Sequence, residues 1–142
     1  LRQLLAAVWI LLLLAPASAA PADQAGDIAR AQQSAQAWLQ LLDAGRYGDS
    51  WDAASSFWRA DHTREKTAQV LKGWRAPLGS IRSRKVLKAE LLTVPDGDCV
   101  HVVFASEFAN KPDHVETVDM LREKNGEWKV ALWSQRARSR DD

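Results

Sequence analysis

Trp74-Arg75-Ala76-Pro77-Leu78-Gly79-Ser80 divides this chain of 142 residues. Ahead of it, apolar residues recur at three- and four-residue steps; behind it they alternate, as strands require. Pro77 cannot extend a helix and disfavours the α conformation at Ala76. Gly79 admits the backbone angles of a sharp exit. The stretch reads as the joint between a helical half and a sheet half. The fold class is α+β: three N-terminal helices packed on a curved four-stranded antiparallel meander sheet.

Upstream of the joint, a helix from about Thr63 carries Thr67, Val70, Leu71 and Trp74 as its buried stripe. A shorter helix is expected over Tyr47 to Trp58, capped by Asp49 or Ser50, with Ser55 and Ser56 on its surface. The first helix spans about Asp27 to Ala44. Ile28, Ala31, Ala35, Trp38, Leu39 and Leu42 share one face, Asp27 is the expected N-cap, and Gly45 is the terminator.

Downstream, the strand-like runs are about Ser80 to Leu92, Cys99 to Phe108, His114 to Glu123, and Trp128 to Gln135. Pro95 to Asp98 and Asn110 to Asp113 are turn clusters. Asn125-Gly126 predicts a two-residue type I′ hairpin. That loop sets Leu121 against Val130, Met120 against Ala131, Asp119 against Leu132 and Val118 against Trp133. One face then holds Asp119, Leu121, Trp128, Val130 and Leu132, and the other holds Glu116, Val118, Met120, Ala131 and Trp133. Both faces are apolar, so both need cover. The helices take one face. On the other, Val118, Met120 and Trp133 form an expected interface for a protein partner or a homodimer.

Residues 1–19 read as a signal peptide. Arg2 precedes an apolar run from Leu4 to Ala15, and Ala17-Ser18-Ala19 is a small-x-small cleavage site. The run is short for a stable membrane span. Residues 20–26 form a mobile lead-in, 27–135 a single cone-like α+β domain, and 136–142 a basic tail. Cleavage removes Arg2 and leaves the domain formally neutral, which argues against nucleic acid as a partner. The compartment is periplasmic or secreted. Cys99 is the one cysteine, so no intramolecular disulfide forms.

Ser34-Ala35-Gln36-Ala37-Trp38-Leu39, Asp43-Ala44-Gly45-Arg46-Tyr47, Ser50-Trp51-Asp52-Ala53-Ala54-Ser55 and Arg75-Ala76-Pro77-Leu78-Gly79 occur together, with Arg84, Phe104, Phe108, Glu116-Thr117-Val118 and Trp128-Lys129-Val130. This set resembles the bacterial domain of unknown function 4019 family, over about residues 30 to 135. The resemblance implies an export signal and a nuclear transport factor 2-like (cystatin-like) cone fold. It brings no reaction. Departures from the family pattern fall at Leu132, where a small residue is usual, and at Asp119, where a small hydroxyl residue is usual.

The candidate chemistry is sparse. Arg75 and Arg84 are either a guanidinium pair holding an anionic ligand, or structural groups paired with Glu90, Glu107 or Glu116. Trp51 and Trp74 join them as candidate ligand-pocket residues. Asp119 and Glu116 are candidate catalytic carboxylates, since burial of such a group produces an acid or base. The three histidines show no metal-ligand spacing, and no nucleophile elbow or glycine-rich phosphate loop is present. No cofactor or metal is expected. The leading function is an exported, non-catalytic module that binds a small ligand or an envelope protein. The alternative is a small cone-fold enzyme, an isomerase, dehydratase or hydrolase using a cavity carboxylate.

Overall fold

The computed structural model describes residues 23–142. The expected signal peptide and residues 20–22 of the lead-in lie outside them. Four helices precede an open antiparallel sheet whose strands neighbour one another in chain order. The helices are α1 (Gln24–Asp43), α2 (Tyr47–Asp52), α3 (Ser56–Asp61) and α4 (Arg64–Arg75). The strands are β1 (Ile81–Val94), β2 (Gly97–Phe108), β3 (Lys111–Arg122) and β4 (Trp128–Ala137). Ala31, Ala35, Trp38, Leu39 and Leu42 of α1 share one buried cluster with Val100, Val102, Phe104, Val118, Met120 and Trp133 of the sheet.

Helix α1 starts earlier than its periodicity predicts, because Asp23 is the cap: its carboxylate accepts the Gly26 N–H at 3.0 Å. Asp27 is a buried first-turn residue that binds Arg30 and Arg122. At the other end Gly45 (φ 71°) turns the chain as expected. The single helix expected over Tyr47 to Trp58 is two. Ser55 donates its backbone N–H to the Val130 carbonyl of β4 at 2.9 Å, and its hydroxyl caps α3 through the Trp58 N–H. Ser55 is thus a buried tie to the sheet rather than helix surface.

The joint stands, with one change. Ala76 keeps helical angles (φ −58°, ψ −39°) and opens a short 3-10 turn, Ala76–Leu78. Pro77 is accommodated at the start of that turn, where no N–H is missed. Gly79 (φ 81°) makes the exit; a Cβ there would stand 3.0 Å from the Asn110 amide nitrogen and 3.1 Å from the Ala109 methyl.

The β3–β4 hairpin differs from the expected type I′ turn. No residue but glycine has positive φ among those described, so Asn125 does not adopt the required conformation. Instead the Glu123 carbonyl accepts the Gly126 N–H, and the Glu123 N–H donates to the Glu127 carbonyl, closing a three-residue loop on Gly126 (φ 88°). Asp119 pairs with Leu132 and Val118 with Trp133, as expected; Met120, however, pairs with Val130. A bulge at Ala131 absorbs the extra residue. Trp128, Val130 and Trp133 are consequently buried together in the cluster with the helices. This corrects the expected outer interface: Val118, Met120 and Trp133 are core residues. The outer face carries Thr117, Asp119, Leu121 and Leu132 instead. Strand β4 also runs to Ala137, and Arg138 donates to the Asp113 carbonyl, so the tail begins as an extension of the sheet.

Candidate functional site

The two arginines flanking the joint meet acids of their own chain. Asp43 ends α1, where a negative charge opposes the helix dipole unless cations face it. Arg75 of α4 reaches Asp43 at 3.1 Å and the Gly79 carbonyl at 2.7 Å, and its guanidinium stacks 4.7 Å from the Phe108 ring centre. Arg84 of β1 forks onto both Asp43 oxygens at 2.8 and 3.0 Å and donates to Glu116 at 2.8 Å. Glu116 is fully buried and also accepts from Ser106 at 2.7 Å and from the Trp133 indole at 3.0 Å. Burial works against the Arg84 charge, but Asp43 and Glu116 outweigh it and hold the guanidinium above its ordinary range. The four charges cancel. The expected anion-holding pair is therefore closed by Asp43 and Glu116, and the buried Glu116 carboxylate accepts from three donors of its own chain. Of the structural partners weighed for these arginines, Glu116 is the one used.

The expected tryptophan pocket does not assemble either. Trp74 is 55 % exposed on the outer side of α4. Trp51 donates its indole N–H to the His62 carbonyl and lies under the Arg59 guanidinium.

Space opens along another side of α1, from Arg30 to Leu41. A groove of about 810 Å³ separates α1 from the β3–β4 hairpin. Arg30, Gln33, Ser34, Ala37 and Leu41 recur at helical spacing along its α1 wall. Trp38, Met120, Trp128 and Val130 make an apolar floor, and Asn125, Glu127 and Lys129 make a polar rim. The small side chains of Ser34, Ala37 and Ala53 leave the width. The sequence signal for this groove was Ala37 and Ser34 beside the Trp38 stripe, but the wall opposite depended on the unread bulge.

Asp119 lies on the outer sheet face, away from the helices. Its carboxylate meets His101 Nδ1 at 2.6 Å across β2 and β3. An imidazole and carboxylate at this distance can pass a proton, but neither side chain lines the groove just described. Cys99 shares that face one pair further along. Burial, with the Asp119 charge second, pushes its thiol up to about 11, so it is no nucleophile at neutral pH. No group of three or more metal-ligating side chains forms among the described residues.

A profile of the family described as "Protein of unknown function (DUF4019)" matches residues 34–133. The chain belongs to this family. Among the residues of this DUF4019 protein quoted above for the family, Arg75, Arg84 and Glu116 belong to the ionic cluster, while Trp38, Trp128 and Val130 floor the groove. Among solved structures it is similar to ActVI-ORFA from Streptomyces coelicolor, at 15 % identity, covering 79 % of this chain and 97 % of that one, with a TM-score of 0.53. It is similar also to a protein from Catenulispora acidiphila, at 12 % identity, 80 % and 92 % coverage and a TM-score of 0.55. The fold is the nuclear transport factor 2-like cone. The comparison with curated proteins gives no match. No helix among the described residues is long and apolar enough to cross a membrane.

Proposed function

We propose that this DUF4019 protein is an exported, non-catalytic binding module that holds a small, largely apolar molecule between α1 and the β3–β4 hairpin. The observation carrying this reading is the groove itself: an apolar floor with two indoles under a polar rim, at a size suited to small ligands. The apolar run Leu4 to Ala15 and the Ala17-Ser18-Ala19 site support export. A catalytic reading would need a poised acid or base beside bound substrate. Glu116 is fully buried and bound by Arg84, Ser106 and Trp133, and Asp119 sits on the far side of the sheet from the groove.

The test is a fluorescence titration with anilinonaphthalene sulfonate, an aromatic anion, following the probe and the groove tryptophans together. The wild-type protein should bind it while retaining a cooperative melt. Ala37→Trp, which places an indole in the groove from an exposed helix position, should weaken binding roughly tenfold or more. Equal binding by the variant, or no binding by the wild type, would remove the proposal.

A further inference from the structure

Where β1 begins and β2 ends, two irregularities in the strand pairing bracket Glu107. On β1, Arg82 is an extra residue between the pairs Ile81–Phe108 and Ser83–Glu107. On β3, Pro112 and Asp113 stand together opposite Glu107, between the pairs Phe108–Lys111 and Ser106–His114. Bulges sharpen the local twist, and proline is tolerated at such a position. The sheet encloses a cavity of about 90 Å³ here, with Ser83, Lys85, Ala105, Glu107, Asp113 and Arg138 in its lining. Two cations and two carboxylates thus share one small hollow. Among the described residues, no ion pair joins any of these four to another side chain. Glu107 and Asp113 are neighbours on adjacent strands, where like charges disfavour one another. Lys85 lies opposite Ala105 on one side of them. On the other side the Arg138 backbone N–H binds the Asp113 carbonyl, so a cation flanks the two carboxylates from each direction.

We propose that this hollow binds a small zwitterion, a free α-amino acid such as glycine or alanine. Its ammonium group donates to Glu107 and Asp113, and its carboxylate accepts from Lys85 and Arg138. An ion of one sign would satisfy one pair of side chains and stand against the like charge of the other; a zwitterion serves both. The volume is that of about three waters at roughly 30 Å³ each, room for an amino-acid main chain and a methyl group but not for a large side chain. The four charged side chains are exposed at the mouth of the hollow. Solvent keeps each pairing weak, so the dissociation constant is on the order of 1 mM. The groove proposed for an apolar ligand lies on the helix side of the sheet, and neither proposal depends on the other.

Nuclear magnetic resonance titration of the isotope-labelled protein tests this. Glycine should shift the backbone amide signals of residues 83–85, 105–107, 113 and 138, and the shifts should saturate. Acetate and methylammonium, each half of the zwitterion, should bind roughly tenfold more weakly at matched ionic strength. So should glycine betaine, whose nitrogen has no hydrogen to donate. Glu107→Gln and Arg138→Gln should each weaken glycine binding roughly fivefold, and Lys72→Gln on α4 should leave it unchanged. Circular dichroism melts confirm that each variant is folded; Asp113→Asn and Lys85→Gln replace any that is not. Glycine shifts that do not saturate overturn the proposal. So does acetate or betaine binding as tightly as glycine, or glycine binding indifferent to the substitutions in the hollow.

Discussion

Arg84→Ala is the most informative single perturbation of this fold. The side chain makes three charge-assisted hydrogen bonds of 2.8 to 3.0 Å, two to Asp43 and one to Glu116. Its own exposure is 12 %, against 15 % for the Asp43 side chain and none for Glu116. Truncation leaves Asp43 with Arg75 alone and Glu116 with no cation, only the Ser106 hydroxyl and the Trp133 indole. Removing one partner of a buried ion pair costs about 3–5 kcal/mol, because the remaining charge is uncompensated. A domain of roughly 120 residues loses about 4 °C of Tm per kcal/mol, so the expected fall is about 12–20 °C. The assay is a thermal melt followed by far-ultraviolet circular dichroism and by tryptophan emission, since Trp133 touches Glu116 directly. Arg84→Lys, which keeps the charge but not the fork, should fall between variant and wild type. A loss below about 1 kcal/mol, the scale of a solvated surface pair, would refute the argument that these four charges form a buried, mutually dependent set.

Other outcomes follow from the same geometry. Hydrogen bonds from Arg122 and then Arg30 hold the Asp27 carboxyl below its ordinary range. A depressed carboxyl stabilises the fold above the ordinary carboxylate range and loses that contribution as pH falls, so Asp27→Asn should be less stable than wild type at pH 7 and converge with it in strong acid. Denaturant titrations at both ends of the range check this. With its thiol at about 11, Cys99 should react slowly with iodoacetamide at pH 8, and its alkylation rate should still be rising with pH beyond 9. Rapid labelling of the folded protein at neutral pH would contradict the buried placement. Gly79→Ala must adopt φ 81° with its methyl about 3 Å from Asn110 and Ala109, and should cost about 1–3 kcal/mol in a urea titration.

What the sequence made legible is the periodicity. The joint at Pro77-Leu78-Gly79, the long first helix and four strands all follow from where apolar residues repeat and where turn residues interrupt them. What it concealed is the register. Lys124-Asn125-Gly126 suits a two-residue or a three-residue loop, and only the longer one leaves Asn125 in ordinary backbone space. The bulge at Ala131 has no glycine or proline to mark it, yet it moves Trp128 and Val130 to the same side as Trp133. The His101–Asp119 pair needed the β2–β3 register, which Asn110 at the turn between them sets almost symmetrically. Arg84 was recognisable as important, but its acids come from 32 and 41 residues away, beyond any local spacing rule.

The distribution of charge along α1 explains why the open space is at the hairpin end. Both ends of this helix are acidic, and both acids are held by arginines. Asp43 takes Arg75 and Arg84, which draw α4 and β1 inward and close that end on Phe108 and Glu116. Asp27 takes Arg30 from its own helix and Arg122 from β3. Arg122 cannot draw the hairpin inward in the same way, because its guanidinium also lies 4.7 Å from the Trp128 ring centre and within 3.4 Å of Asp98. Arg122 thus ties the strand end of the hairpin to α1 through Asp27. The three-residue loop and the Ala131 bulge then tilt Trp128 and Val130 toward α1, where Ser34 and Ala37 are too small to meet them. One end of α1 is held by a neutralised ionic cluster, and the groove beside the β3–β4 hairpin is lined by apolar side chains under a polar rim.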